Sequence, residues 1–313
     1  MKTTTIFQDH SVWRIENGQA RVLIAPDFGA RLLTWEVAGQ PIIHWPETAD
    51  WNQLSEVRGG NPILFPFVAR HMVDGVIGRW QDAEGHVREL PMHGFARDLP
   101  FTVVEESDAC SLRMRLTHTP ATFAMYPFEW VFDVVYRLGK NELEVTLETR
   151  NSGSAPLPYF PGHHFYFAVP HEERSSWRLN LPCARWGWQN KDGSIRFAPA
   201  TQPEWPLDDP AIIDRFHLNF TSHQVSLEGS EAGRRILIDL VGNDAAPGSS
   251  VPWYDVTTWT QSPTSDFFCV EPWLGLPNAI HHGHGLRLLP PGQTESAVCR
   301  ISVRDVSVEE PGE

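Results

Sequence analysis

The chain has 313 residues, of which 41% are hydrophobic and 20% are charged, a composition typical of a globular protein with a sizeable core. Its formal net charge of −14 argues against nucleic acid and anionic membrane surfaces as partners, because both select for basic surfaces. The N-terminal segment lacks the apolar stretch and cleavage site of a signal peptide, and no apolar run is long enough to cross a bilayer. The four cysteines are scattered without a CxxC pair, so we expect reduced thiols and a cytoplasmic protein.

The most regular part of the chain predicts an antiparallel hairpin. In 128–138 and again in 142–150, apolar and polar residues alternate with the two-residue period of half-buried strands. The residues between them, Gly139-Lys140-Asn141, are typical of a tight turn. Weaker alternation predicts further strands at Ala20–Ala25, Arg31–Val37, 101–105, Ser111–Thr117, 235–240 and 298–303.

Many short strands, with turn signals between them and no alternation of strands with helices, indicate an all-β fold. The 26 prolines and 23 glycines are spread throughout and leave few windows for helices, although 171–177 has room for one helical turn. No repeat, low-complexity block or linker divides the chain. We therefore expect one large antiparallel β-sandwich domain over residues 1–313, with a frayed acidic tail at 305–313.

The segment 58–101 combines features that suit ligand binding. Arg58, Arg70 and Arg97 stand near glycines, prolines and aromatic residues, and His93 lies at the centre of the second half. Glycine lets a backbone come close to a ligand, and proline fixes the loops that carry polar groups. A proline- and glycine-rich connection with solvated arginines and a structural histidine has the same pattern, so this segment alone leaves both interpretations open.

Two further segments carry polar residues among aromatic ones. His163 and His164 are adjacent, so on a strand they point to opposite faces and only one faces a given site. Glu271 follows an apolar strand and precedes a proline, where a carboxylate is costly unless it is partnered or used for chemistry. Taken alone, each of these residues also fits a structural role. The histidines of 281–284 lie among glycines and indicate a loop rather than a metal site.

A carboxylate, histidines, arginines and 13 tryptophans together suit a sugar, whose C–H faces pack on aromatic rings while its hydroxyls take hydrogen bonds. The blocks RGGNPILFPFVAR, MHGFARD, GHHFYF and CVEPWLGLPNA, in this order and spacing, resemble the aldose 1-epimerase (mutarotase) family. They are most similar to its broader branch, which includes the hexose-6-phosphate 1-epimerases. The resemblance runs from about Arg21 to Gly292 and implies a galactose mutarotase-like β-supersandwich, a cofactor-free site in its concave face, and interconversion of sugar anomers.

The resemblance also implies roles for individual residues. Glu271 matches the catalytic glutamate of the family and is expected to act as the base, and His164 matches the second family histidine and is expected to act as a protonated acid. His93 matches the first family histidine, expected to hydrogen-bond the ring or C1 oxygen, and Arg70 matches the arginine that holds the substrate. We expect no metal or organic cofactor, and a small sugar as the ligand.

Other matches concern which sugar binds. Arg58 and Arg97 match positions that the hexose-6-phosphate branch uses around the phosphate, and Asp214 matches a sugar-binding aspartate of the mutarotases. Ala69 and Phe95 stand where galactose mutarotases have asparagine and glycine, which argues against galactose. The expected reaction is therefore interconversion of the α and β anomers of a hexose or of a hexose 6-phosphate.

Trp273 departs from the phosphate branch, which has a small residue there, and its indole is expected to fill space that a phosphate needs. Two other functions stay open. One is a non-catalytic carbohydrate-binding or sugar-sensing protein on the same fold, against which the retained acid and base argue. The other is a glycoside hydrolase or lyase, which needs a second carboxylate beside the scissile bond.

Overall fold

The structure is a computed structural model that describes residues 1–104, 108–241 and 251–305. These residues are mostly β-strand with few helices, and the strands form antiparallel sheets. The all-β class and the antiparallel architecture expected from the sequence are therefore confirmed. The predicted strand end at Glu105 and the acidic tail from 306 onward lie outside the described residues, and the single-domain boundary stays a prediction.

Strands dominate the chain, and the helices between them are short. In chain order, the strands are β1 (Lys2–Phe7), β2 (His10–Glu16), β3 (Ala20–Ala25), β4 (Arg31–Val37), β5 (Gln40–Ile43), β6 (Ile63–Leu64), β7 (Met72–Val73), β8 (Val76–Ile77), β9 (Arg79–Gln81), β10 (Val87–Glu89), β11 (Thr102–Val104), β12 (Ser111–Thr117), β13 (Trp130–Leu138), β14 (Glu142–Asn151), β15 (Leu157–Tyr159), β16 (Gly162–His163), β17 (Phe165–Ala168), β18 (Trp177–Asn180), β19 (Cys183–Gln189), β20 (Ile195–Pro199), β21 (Glu204–Pro206), β22 (Arg215–Phe220), β23 (Gln224–Gly229), β24 (Arg234–Asp239), β25 (Asp255–Trp259), β26 (Phe267–Trp273), β27 (Arg287–Leu289) and β28 (Thr294–Asp305). The α-helices are α1 (Pro120–Met125) and α2 (Ala279–His282), and 3₁₀ helices cover Pro26–Phe28, Trp51–Glu56, Ala96–Asp98, His171–Ser176 and Pro210–Ile212. Within the described ranges, no helix is long and apolar enough to span a membrane.

Two large sheets pack around one apolar core. Among the described residues, the larger sheet has 13 strands in the order β1-β2-β3-β4-β5-β17-β26-β25-β22-β19-β20, with β16 added beside β26 and β6 beside β16. The smaller sheet has nine described strands in the order β11-β12-β13-β14-β28-β24-β23-β18-β21. Side chains from both sheets, such as Val270 of the larger and Phe132 and Ile301 of the smaller, belong to one buried cluster. The opposite face of the larger sheet is therefore available for a site.

Strand β26 is buried on both of its faces. Phe268 and Val270 join the core between the sheets, whereas Phe267 and Cys269 belong to a separate small cluster on the outer face. Because side chains alternate along a strand, Glu271 points to the same outer face as Cys269. The apolar run that precedes the glutamate therefore builds the core with one half of its side chains and the floor of a site with the other.

Several predicted elements appear with small shifts. The predicted hairpin is present, as β13 and β14 pair from Trp130–Asn151 to Leu138–Leu143 around the expected turn. Strands β3, β4 and β12 have the predicted bounds, and the helical turn predicted at 171–177 is a 3₁₀ helix. The strand predicted at 298–303 is part of the longer β28, which pairs with β14 on one side and β24 on the other.

Two loop segments beside the outer face are held together by backbone hydrogen bonds. Phe65 forms a bridge with Gly94, and its carbonyl oxygen accepts the N–H of Phe95 at 3.0 Å. His93 and Gly94 both have a left-handed backbone, with φ of 68° and 74°. A Cβ on Gly94 would overlap the carbonyl oxygen of Phe65, so the close approach of the two segments requires glycine.

We expect Gly94→Ala to lower the free energy of unfolding by about 2–4 kcal/mol, since it adds a steric overlap to a positive φ. Gly75→Ala is the matched control. Its φ is 76°, but a Cβ there meets open space, so only backbone strain of about 1 kcal/mol remains. Urea unfolding curves measure both losses, and equal losses would contradict the close contact between the two segments.

Candidate active site

A cleft of about 480 Å³ opens on the outer face of the larger sheet. The expected site residues that line the cleft are Arg58, Arg70, His93, His164, Asp214 and Glu271. Arg97 does not line the cleft, but its charge adds to the effect of burial and lowers the pKa of both His93 and His164. The fold therefore gathers the expected residues from distant parts of the chain.

The strand register places Glu271 between His164 and Thr257. Thr257 of β25 pairs directly with Glu271. On the other side of β26, the residue pairs that flank His164 share one antiparallel register, so His164 lies opposite Glu271. Nε2 of His164 is 3.6 Å from Oε2 of Glu271, which brings a carboxyl and an imidazole together on the cleft floor. The flanking pairs are Gly162–Trp273 and Phe165–Val270.

Burial shifts the pKa values of these two groups in opposite directions. Glu271 is 1% exposed, and burial raises the pKa of its carboxyl well above the ordinary value, with further contributions from the charges of Asp214 and Asp255. Burial lowers the pKa of His164 well below the ordinary value, and nearby arginine charges, with Arg97 the largest, act in the same direction. Both side chains therefore favour their neutral forms in the protein alone.

Asn61 holds the two adjacent histidines in different environments. Its side-chain oxygen accepts the backbone N–H of His164 at 2.9 Å, and its amide nitrogen lies 3.2 Å from Nδ1 of His163. His163 is fully buried on the core side against Phe165, where burial lowers its pKa to about 3. His164 faces the cleft and stacks on Tyr166, with ring centroids 4.7 Å apart. Only one of the two histidines therefore faces the site.

His93 is fixed by a reciprocal pair of hydrogen bonds with Ala69. The backbone N–H of Ala69 donates to Nδ1 of His93 at 3.0 Å, and the backbone N–H of His93 donates to the carbonyl oxygen of Ala69 at 2.9 Å. Because Nδ1 accepts a hydrogen bond, the neutral imidazole carries its proton on Nε2. Burial, followed by the charges of His164 and Arg97, lowers the pKa of His93 well below the ordinary value. His93 therefore presents a neutral hydrogen-bond donor to the cleft.

The arginines occupy different positions around the cleft. Arg70 is exposed at the rim. Arg58 lies over the ring of Trp259, with its guanidinium carbon 5.6 Å from the ring centroid. Arg97 is mostly buried, and its Nε lies 3.7 Å from Oδ2 of Asp98. Arg58 and Arg97 both add to the positive field at His164, whose pKa they lower together with burial.

Tryptophan rings line the cleft on both sides of Glu271. Trp273 follows Glu271 by two residues on β26, whereas Trp259 pairs with Cys269, two residues before it. Trp273 and Trp259 are therefore separated along the strand by four residues, or about 13 Å. Arg58 lies over Trp259, at the other end of this separation from Trp273. The expectation that the indole of Trp273 fills space that a phosphate needs stays a prediction.

Sequence reasoning missed three residues at or next to the cleft: Thr257, which lines it, and Asn61 and Cys269, which are buried beside its histidine and glutamate. Cys269 had a detectable signal, since it precedes Glu271 by two residues on an alternating strand. Asn61 stands within the RGGNP block, but nothing local shows that it reaches the histidines. Thr257 lies in a run of two threonines, where alternation does not tell which one faces the site.

Among the histidines of 281–284, the ring of His282 pairs with the backbone of its own loop. A ring nitrogen of His282 lies 2.9 Å from the carbonyl oxygen of Pro277, and its other ring nitrogen accepts the N–H of His284 at 3.1 Å. Among the described residues they form no group with the spacing of metal ligands. Such a group exists instead on the cleft floor.

Comparison with known proteins gives a family and a fold. A sequence model of the family described as aldose 1-epimerase matches residues 11–302. A protein of Escherichia coli strain K12 named "Putative glucose-6-phosphate 1-epimerase" is 30% identical over 125 residues, which span 39% of this chain and 37% of that protein. The chromosomal protein LacX of Lactococcus lactis is 26% identical over 264 residues, which span 74% of this chain and 79% of that one. The X-ray structure of a galactose mutarotase related enzyme from Lactobacillus acidophilus has the same fold, with a TM-score of 0.78, 23% identity and coverage of 95% of this chain and 99% of that chain.

We expect the imidazole nitrogen NMR shifts of His93 to show a proton on Nε2 and none on Nδ1, because Nδ1 accepts the N–H of Ala69. Since burial lowers the pKa of His93, this pattern should persist as the pH falls through the range in which ordinary histidines become charged. The same protein unfolded in urea supplies the ordinary titration as a control. A proton on Nδ1, or an ordinary titration in the folded protein, would rule out the role of Ala69.

Proposed function

Because the chain belongs to the aldose 1-epimerase family, we propose that it interconverts the α and β anomers of an aldohexose by proton transfers in the cleft. The observation that carries the proposal is the contact between Glu271 and His164, whose nearest side-chain atoms are 3.6 Å apart on the cleft floor. Tryptophan walls and polar groups around this pair suit a sugar ring, because a small-molecule site combines apolar walls with a few directed polar groups.

Anomerisation needs a base at the C1 hydroxyl and an acid at the ring oxygen, two oxygens that are bonded to the same carbon. Glu271 takes the proton of the C1 hydroxyl while His164 gives a proton to the ring oxygen, so the bond between C1 and the ring oxygen breaks and an aldehyde forms. Rotation about the C1–C2 bond and reversal of both transfers close the ring on the other face. Each group contributes roughly 10²–10⁴-fold to the rate. The Nε2–H of His93 donates to the ring or C1 oxygen during these steps.

The proposed roles need a proton on His164 and none on Glu271. Burial favours the reverse distribution in the protein alone, with a neutral imidazole and a protonated carboxyl. Both distributions hold one proton on the pair, so they differ only in the position of a single proton between two groups 3.6 Å apart. A sugar hydroxyl that donates to Glu271 stabilises the carboxylate and thereby favours the catalytic distribution.

We expect Glu271→Gln to lower kcat for α-glucose at least about 100-fold, because the isosteric amide cannot accept the C1 proton. His164→Asn should have a similar effect. His163→Asn is the matched control, since this side chain lies on the core side, and we expect it to lower thermal stability more than kcat. Polarimetry of freshly dissolved α-glucose measures the rates. The assignment fails if His163→Asn removes activity while His164→Asn keeps it, or if Glu271→Gln keeps more than about a tenth of kcat.

A hexose 6-phosphate is the second candidate substrate, and the arginines at the Trp259 end of the cleft favour it. Arg58 lines the cleft at this end. Arg97 does not line it, but it lies close enough to Arg58 that burial and, in addition, the charge of Arg58 lower the pKa of Arg97. Arginine presents a fork of N–H donors that matches phosphate oxygens. The name of the relative in Escherichia coli points to the same class of substrate.

The substrate class is tested by kcat/KM for glucose and for glucose 6-phosphate in Arg58→Ala and Arg97→Ala. If the phosphate binds there, Arg58→Ala should lose the ester selectively, by about 1.5–3 kcal/mol for a charge-assisted contact, and Arg97→Ala should lose it selectively by less, because it removes a nearby positive charge rather than a residue that lines the cleft. Arg70→Ala, at the rim, is the matched control and should weaken both sugars equally. Equal losses on both sugars in Arg58→Ala and Arg97→Ala would mean that the substrate is a free aldose.

Simple assays distinguish anomerisation from two other functions, sugar binding without turnover and glycoside hydrolysis. A sugar-binding protein without turnover would leave the polarimetric relaxation of α-glucose at its spontaneous rate. A glycoside hydrolase needs a second carboxylate, and Asp214 does line the same cleft as Glu271. Release of reducing ends from oligosaccharides would favour that reaction over anomerisation.

A further inference from the structure

Three side chains at the bottom of the cleft have ligand atoms that converge: His164 and Glu271 line the cleft, and Cys269 is buried beside them. A ring nitrogen of His164, the sulfur of Cys269 and a carboxylate oxygen of Glu271 all lie within 4.8 Å of one another. Cys269 and Glu271 are two residues apart on β26 and therefore share a face, and His164 lies opposite Glu271. All three residues are buried. Nitrogen, sulfur and oxygen in this arrangement form a ligand set typical of zinc.

An unsatisfied polar atom points to the same place. Oε2 of Glu271 is buried and has no hydrogen-bond partner among the described residues, and it is the atom that lies 3.6 Å from Nε2 of His164. A buried carboxylate oxygen without a donor is costly. Asp214 lines the same cleft and adds further negative charge. A cation bound at this point would satisfy the oxygen and stabilise Glu271 as a carboxylate beside Asp214.

We propose that the cleft floor binds one divalent cation of the zinc class through His164, Cys269 and Glu271, and that the bound metal prevents a sugar from reaching Glu271. The second half rests on the proposed function, whereas the binding of the metal does not. On binding, the thiol of Cys269 and the carboxyl of Glu271 release their protons to solvent, and the thiolate sulfur and the carboxylate oxygen bond to the metal together with a ring nitrogen of His164. The fourth tetrahedral position faces the cleft, where a water molecule serves as ligand.

The distances and the ligand types favour zinc over magnesium or calcium. Tetrahedral zinc has bonds of about 2.0–2.3 Å to nitrogen and sulfur, which place neighbouring ligand atoms about 3.3–3.8 Å apart. His164 and Glu271 already lie at 3.6 Å, and no two of the three ligand atoms are more than 4.8 Å apart. Magnesium and calcium prefer oxygen ligands. A second described cluster, on the connection between β9 and β10, is more exposed, and its Asp82 is already paired with Arg88 at 3.0 Å.

Cadmium is a suitable probe, because its bond to a thiolate gives an ultraviolet charge-transfer band that does not depend on enzyme activity. In metal-free wild-type protein, we expect a titration with Cd²⁺ to produce this band and to saturate at one metal per chain. Cys269→Ser should lose the band. Cys183→Ser is the matched control and should keep it, although the sulfur of Cys183 lies 3.8 Å from a ring nitrogen of His217. A band that persists in Cys269→Ser, or disappears in Cys183→Ser, would overturn the site.

Inhibition is measured on the same proteins with α-glucose as the substrate. We expect Zn²⁺ to slow anomerisation by the wild-type protein and a chelator to restore the rate. With each protein compared with its own metal-free rate, Cys269→Ser should need at least about tenfold more Zn²⁺ than wild type for the same fractional inhibition, because it lacks one metal ligand. Equal sensitivity of Cys269→Ser and wild type would overturn the role of the thiolate.

Two further outcomes separate this inference from the proposed function. If Cys269→Ser does not fold, competition between glucose and cadmium in the wild-type protein decides. Saturating glucose should suppress the cadmium band. A band that glucose leaves unchanged would overturn the claim that metal and sugar occupy the same part of the cleft. A cadmium band with undiminished activity would overturn the blocking half alone. If the protein anomerises no sugar, the proposed function is wrong, and the band with its two cysteine variants still decides whether the metal site exists.

Discussion

The register of β26 between its two neighbouring strands is the constraint on which the site depends. Because side chains alternate between the faces of a sheet, a shift of one residue would send Glu271 into the core and bring Val270 to the cleft. Pairing with β25 and β17 along the strand prevents such a shift. The packing of Phe268 and Val270 in the core on one face therefore determines where the carboxylate lies on the other.

Burial of this face also determines the chemistry of the two central groups. In a water-filled cleft, a carboxyl and an imidazole at 3.6 Å would form an ordinary ion pair, but here burial disfavours the charge on both. The pair is thus suited to exchanging one proton with a ligand rather than to holding a permanent salt bridge. His93, kept neutral by burial and oriented by Ala69, adds a donor without adding a charge.

Patterns among neighbouring residues were sufficient to predict the features that such residues form by themselves. Alternation of side chains located the hairpin of β13 and β14, and the order of short blocks pointed to His93, His164 and Glu271, which all line the cleft. Features that depend on pairing between distant segments were not predictable. Asn61 accepts the N–H of a residue 103 positions away, and strands of two residues such as β6 and β16 are too short for any alternation to be recognised.

Exchange NMR on an equilibrated glucose solution tests the central claim most directly, because it detects interconversion of the two anomers without any net reaction. The account predicts exchange cross-peaks between the α and β anomeric protons that grow with the concentration of wild-type protein and disappear with Glu271→Gln. Glucose 6-phosphate, measured in the same way, covers the second candidate substrate. Broadening of the sugar signals by the wild-type protein without exchange cross-peaks for either sugar would show binding without turnover, and would contradict the account.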